Sequence, residues 1–229
     1  MKIGILQTGR SPDELREEFG DYDDMFERLL ARPGVHFQTF PVLMDEFPAT
    51  PYAADAWVVT GSRCGVYDGF GWISKLKSFL RYVHREKVPL VGICFGHQVI
   101  AEALGGKAEK FAGGWSCGMQ RYDLAGWNGP VSMLAWHQDQ VVVPPPGAEI
   151  VMSSEFCRYA GMRIGDFTLT LQPHPEFTPA FLRALAGARR DVVGAAMADA
   201  AIASLSAAPD EIGPYLLDFI DRAAAAKAA

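Results

Sequence analysis

The 229-residue sequence is poor in the features that mark export, metal binding or nucleic-acid binding. It holds four cysteines, Cys64, Cys94, Cys117 and Cys157, and no two of them form a C-x-x-C pair. No Cys/His spacing fits a zinc site, so no metal is expected, and reduced thiols in a cytoplasmic protein are the default. The opening run MKIGILQTGR is too short in apolar residues for a signal peptide or a membrane span and predicts a first β-strand. Lysine and arginine total 21 against 27 acidic residues, a formal net charge of −6, with no basic cluster. That balance argues against nucleic acid as a main partner. No phosphate-binding G-x-x-x-x-G-K-[ST] motif occurs, and no repeat or long linker interrupts the chain.

What is present is ordinary globular composition, 49% hydrophobic and 21% charged, enough for one full core and one domain over residues 1–229. KIGILQT, VHFQTFPV, DAWVVTGS and PLVGIC read as strands. Between the first two, Ser11-Pro12-Asp13-Glu14 predicts an N-cap, a first-turn proline and a capping-box acid. Apolar residues at helical spacing then predict one helix running to about Arg32. Trp72, Ile73, Leu76, Phe79, Leu80 and Val83 share a second helical face. Residues 95 to 104 read as a third helix, closed by Gly105-Gly106. This alternation predicts an α/β fold: a three-layer, open, mostly parallel sheet flanked by helices, flavodoxin-like. From Trp115 to Leu171 short β-like runs separated by Gly and Pro predict a β-rich second half. The Ala-rich tail from Thr178 predicts helices, ending in PYLLDFIDRAAAAKAA, frayed at its end.

One cysteine sits at a mechanically special place. The stretch VPLVGICFGHQVIAEALGG turns from buried strand to helix at Cys94, within Gly92-Ile93-Cys94-Phe95-Gly96. A sharp strand-to-helix turn lifts one side chain above the C-terminal edge of the sheet, where ligands bind in open α/β folds. The N-terminal dipole of the following helix points at the sulfur and favours the reactive thiolate. The Phe95 amide is free to donate, because the first helical N–H groups lack intrahelical partners. A buried, inert cysteine would satisfy the same five residues equally well.

A distant second motif weighs against inertness. TLTLQPHPEF holds His174 between Pro173 and Pro175 just after a strand, with Glu176 two residues on. A cysteine nucleophile needs a base to take and return its proton, and the base needs an acceptor that orients its ring. Alternate residues of an extended segment face one side, so Glu176 can be that acceptor.

Together, GICFGHQVIAEALGG and QPHPEF resemble the class I, triad-type glutamine amidotransferases, and the likeness extends over WVVTGS and WHQDQV. The resemblance implies Cys94 as nucleophile, His174 as base and Glu176 as its orienting carboxylate. It implies attack on a glutamine side-chain amide or a γ-glutamyl bond, through a γ-glutamyl thioester, without a cofactor. It places Gly61-Ser62-Arg63 where the family carries a Gly-Gly-Pro oxyanion loop. The Ser62 and Phe95 amides are then the expected oxyanion donors, and Gly61 lets the loop approach. Gln98, one helical turn after Cys94, is expected near the substrate amide, and His137 and Asp139 near the glutamine pocket. Arg63 departs from the family loop and is either a solvated surface residue or a planar fork for a substrate carboxylate. His97 is expected to be structural, Cys64 a bystander, and Cys117 and Cys157 packing residues.

Biosynthetic relatives pass ammonia to a synthetase, and this chain has no room for one. Three readings follow: a glutaminase serving an unseen synthetase partner, a stand-alone γ-glutamyl peptidase, or a silent binding homologue. The GSR loop and the GDYDDMF stretch favour the stand-alone reading. An intact Cys-His-Glu set disfavours the silent one.

Overall fold

The computed structural model describes residues 1–228. Its strands are β1 Lys2–Leu6, β2 His36–Phe40, β3 Ala56–Val59, β4 Leu90–Ile93, β5 Lys107–Lys110, β6 Ser116–Leu124, β7 Val131–His137, β8 Asp139–Val143, β9 Ala148–Ser153, β10 Gly161–Ile164 and β11 Thr168–Leu171. Its helices are α1 Asp13–Phe19, α2 Tyr22–Leu30, α3 Gly71–Arg85, α4 Phe95–Ala103, α5 Pro179–Ala188, α6 Arg190–Val193, α7 Ala195–Ala203 and α8 Gly213–Ala228. The last residue of the expected terminal helix, Ala229, lies outside the described residues.

Nine strands form one sheet in the order β2-β1-β3-β4-β11-β10-β9-β6-β7, and β5 pairs with β8 separately. The first five are parallel, and one register row crosses them all: Thr39, Ile5, Val58, Val91 and Leu169. This is the flavodoxin-like order, with β11 as the fifth parallel strand. The remaining pairs of that sheet are antiparallel. β3, β4 and β11 are buried along their whole length, as strands covered on both faces must be. On one face Ile3, Ile5, Val58 and Val91 meet Phe26 of α2 and Leu216 and Ile220 of α8. On the other, Leu6, Trp57, Val59 and Leu90 meet Leu76 and Leu80 of α3 and Val99 and Ile100 of α4. A third cluster joins Leu134 of β7 to Phe181, Leu182 and Leu185 of α5 and to Leu15 and Met25.

The expected single first helix is two. Gly20 takes φ 82°, which ends α1 and lets the chain restart. The capping box stands at the restart rather than at Ser11. Asp21 Oδ1 accepts from Tyr22 N (2.9 Å), and Asp24 Oδ2 accepts from Asp21 N (2.8 Å). Ser11 does not cap α1: its N–H donates to Asp21 Oδ1 (2.7 Å), and its hydroxyl is buried without a partner. Leu15 of α1 and Phe26 and Leu30 of α2 are all buried, so apolar residues at helical spacing run through the break and periodicity alone conceals the kink. No described helix is long and apolar enough to cross a membrane.

Candidate active site

At the end of β4 the backbone of Cys94 takes φ 54°, ψ −106°, a conformation that is strained for any side chain. Two anchors hold it there: Cys94 N donates to Leu171 O (2.9 Å), and Gln98 N donates to Cys94 O (3.1 Å) to start α4. The glycines around it are there for space. A Cβ on Gly96 would stand 2.4 Å from the Val59 carbonyl oxygen, and one on Gly92 would stand 2.6 Å from the Gly96 carbonyl oxygen. Tight packing of α4 against β3 and β4 thus requires both glycines. Cys94 is 6% exposed at the C-terminal edge of the parallel strands. Phe95 N–H, at the first helical position, has no acceptor among the described residues.

Beyond β11 the chain carries His174 to the same edge. His174 N donates to Leu134 O (2.8 Å), which ties this segment to β7. His174 Nδ1 bonds Glu176 Oε1 at 2.7 Å, while Nε2 is buried without a partner. The two rings His174 and Phe177 lie parallel. The sequence-predicted Cys94, His174 and Glu176 therefore converge, with the loop after β3 closing the group: a Cβ on Gly61 would meet His174 Cε1 at 3.2 Å and Cys94 Cβ at 3.8 Å.

Three buried imidazoles share this corner, and the electrostatics place the positive charge on one. Burial, together with the neighbouring His174, pushes His137 down to about 3. Burial and His137 likewise push His97 down to about 3. Burial also acts to lower His174, but the Glu176 carboxylate and Cys94 outweigh it and hold His174 above the ordinary histidine range. His97 Nδ1 bonds Thr170 Oγ1 (2.8 Å), as a structural residue would. His137 Nδ1 donates to the Asp139 carbonyl (3.1 Å).

The loop after β3 is set by Thr8, which the sequence reading did not single out. Its hydroxyl bonds the carbonyls of Thr60 (2.8 Å) and Gly61 (3.0 Å). In a trans peptide the carbonyl of Gly61 and the N–H of Ser62 point opposite ways. Holding the carbonyl against Thr8 therefore turns the Ser62 N–H away from it, and that N–H has no acceptor among the described residues. Ser62 Oγ instead accepts from Cys64 N (3.2 Å). Arg63 is exposed and makes no ion pair among the described residues, and Tyr67 reaches across to Asp139 Oδ2 (2.8 Å). Gln98 is buried, and its Nε2 donates to Asp139 O (2.9 Å) and Gln172 Oε1 (3.0 Å). Its amide hydrogens thus brace the Asp139 segment, and only its Oε1 is left for another partner. Tyr22 was also missed as a site neighbour; only its place within the GDYDDMF stretch hinted at it. Burial first, then Cys94 and Glu176, raise its hydroxyl well above the ordinary tyrosine range. Cys117 and Cys157 are buried, and burial pushes both thiols up to about 12.

A strained strand-to-helix turn at Cys94, near a His174 bonded to Glu176 and on a 2-1-3-4 parallel sheet, is the arrangement that a hydrolase or transferase of the cysteine type needs. Comparison with known proteins places the chain within that class. Residues 20–183 match the family model Glutamine amidotransferase class-I, and the chain belongs to that family. It is an enzyme of the glutamine amidotransferase type. Gamma-glutamyl peptidase 3 of Arabidopsis thaliana is 29% identical over 185 residues, covering 73% of this chain and 74% of the relative. A glutamine-hydrolyzing GMP synthase subunit of Saccharolobus solfataricus is 32% identical over 188 residues, covering 77% of this chain and 89% of the relative. The fold matches the crystal structure of a glutamine amidotransferase from Thermotoga maritima with a TM-score of 0.73 at 17% identity, over 98% of this chain and 96% of the other.

Proposed function

We propose that this chain hydrolyses a γ-glutamyl C–N bond through a Cys94-His174-Glu176 triad. One observation carries the reading: His174 is bonded to Glu176 through Nδ1 (2.7 Å) and keeps Nε2 unpartnered at the corner that holds the Cys94 elbow. The Cys94 sulfur attacks the γ-carbonyl carbon, and the electron pair moves onto the carbonyl oxygen. The Ser62 and Phe95 amides receive that oxyanion; each such donor is typically worth about 10²–10³ in rate. Collapse breaks the C–N bond, His174 protonates the leaving nitrogen, and ammonia or an amine departs from a γ-glutamyl thioester. His174 then takes a proton from water, whose oxygen attacks the thioester. The C–S bond breaks, glutamate leaves and the thiolate returns.

The substrate reading is a stand-alone γ-glutamyl hydrolase acting as a single domain over residues 1–229. Arg63 supports it: an exposed guanidinium with no carboxylate partner among the described residues stands on the loop that borders Cys94, where a peptide carboxylate beyond the scissile bond would reach. The likeness to a glutamine-hydrolyzing GMP synthase subunit supports the second reading, a glutaminase that feeds an unseen synthetase partner. Purified protein is offered glutamine and γ-glutamyl dipeptides, with glutamate release as the readout, alone and with a synthetase partner. Peptide cleavage by the chain alone is the expected result. Silence on peptides, with glutaminase activity appearing only when the synthetase is added, selects the second reading.

A further inference from the structure

Phe177, the residue after Glu176, stacks on the catalytic imidazole, with ring centroids 4.0 Å apart and planes 6° from parallel. We infer that Phe177 is a positioning residue for His174, fixing the plane of its ring and stabilising its imidazolium form through the phenyl face. The inference rests on the reading of His174 as the base.

The stack is rigid from behind. Phe177 is 4% exposed, and Phe181 meets it edge-on at 4.6 Å and 64°. Tyr22 leans on it at 6.1 Å, and Phe19 packs edge-on against Phe181 at 5.5 Å. Thr178 caps α5 by accepting from Phe181 N (3.1 Å), which fixes the helix that carries this support. The Phe177 ring therefore cannot swing without unseating contacts from α1, α2 and α5. A phenyl face carries the negative part of the ring quadrupole. It gains dispersion from a neutral imidazole and an added electrostatic attraction from an imidazolium within about 6 Å. The charged and titratable groups around His174 are Glu176 and Cys94, which favour its positive form, and His137, which opposes it. Tyr22 lies within reach of Cys94 and Glu176. Phe177 adds to the first pair without competing with Glu176 for the Nδ1 proton.

Phe177 also borders a cavity of about 530 Å³ lined by Phe19, Met25, Pro175, Glu176 and Phe181, so truncation opens space rather than forcing a clash. The test compares Phe177→Leu, which keeps apolar bulk and removes the π face, with Phe177→Tyr, which keeps the face. The His174 Cε1 resonance of ¹³C-histidine protein, assigned with His174→Gln, is followed against pH. Phe177→Leu is expected to lower the midpoint by about 0.4–1.5 units, the span that ordinary cation–π strengths convert to. Phe177→Tyr stays near the wild-type midpoint. The alkaline limb of kcat/KM for hydrolysis moves in parallel. An unchanged midpoint in Phe177→Leu, or equal shifts in the Leu and Tyr variants, overturns the inference. A midpoint that falls while the hydrolysis profile stays put supports the positioning of His174 and counts instead against His174 as the base. If Phe177→Leu does not fold by circular dichroism, Phe177→Met carries the same comparison.

Discussion

Replacing Gly96 by alanine tests whether the elbow is a machine or merely a turn. A Cβ there stands 2.4 Å from the Val59 carbonyl oxygen and 2.9 Å from Val59 Cβ. Both neighbours belong to β3, so no flexible side chain can yield. Bringing the carbon–oxygen pair to roughly 3.3 Å parts α4 from β3 by about 0.9 Å. Overpacking of this kind typically costs about 1–3 kcal/mol. The helix-propensity gain of alanine over glycine offsets about 1 kcal/mol of that. The expected net loss of stability is therefore small, up to about 2 kcal/mol. Activity is far more sensitive, because Cys94 rides on the displaced turn, and misplacing a reacting group by about 1 Å can cost roughly 10²-fold. Gly187 in α5 supplies the control, since a Cβ there meets nothing within 4 Å. Gly187→Ala should keep full activity and gain up to about 1 kcal/mol. Urea unfolding and glutamate release are measured on both variants. A Gly96→Ala protein with wild-type activity and raised stability would refute the reasoning, showing that the elbow tolerates its helix moving.

A glutamine-like diazo-ketone should label Cys94, located by peptide mass mapping, and leave Cys117 and Cys157 unmodified at pH 8 because their thiols are held up near 12; label on Cys64 with Cys94 untouched would overturn the nucleophile. Glu176→Gln should lower kcat roughly 5- to 15-fold, the difference between a charge-assisted and a neutral hydrogen bond, while His174→Ala removes nearly all turnover. Because His174 is held above its ordinary value, its protonated form stabilises the fold in full below about pH 6.5, and that stability is lost as pH rises through the raised value. Glu176→Gln should therefore flatten the alkaline fall in melting temperature and move the alkaline limb of kcat/KM to lower pH; an unmoved limb counts against the pairing. Arg63→Ala should raise KM for γ-glutamyl peptides severalfold while leaving that for glutamine nearly unchanged, as loss of binding to the portion glutamine lacks; equal effects on both substrates would remove Arg63 from substrate choice.

The parallel sheet and the elbow are legible in the sequence because both are local. An apolar run such as PLVGIC has one way to bury both faces, and G-x-C-x-G at its end permits one tight turn. The Cys94, His174 and Glu176 set is legible because two rare motifs each announce themselves within a few residues. Other features depend on distant chain segments meeting. The break at Gly20 is hidden, since apolar residues continue at helical spacing on either side of it, and only Gly20's positive φ and the capping by Asp21 separate the helices. The turning of the loop after β3 depends on Thr8, 53 residues from Gly61 in sequence. That Gln98 lies one turn after Cys94 is legible from its position, but that its amide hydrogens go to Asp139 and Gln172 is set by the fold. Phe177 reads as one more apolar residue before a helix, and only the packing of α1, α2 and α5 around it presents its face to His174. Short-range chemistry is thus written in the residue order. The direction of each carbonyl, amide and ring is a property of the packed sheet, because neighbours far along the chain decide which orientation is left unblocked.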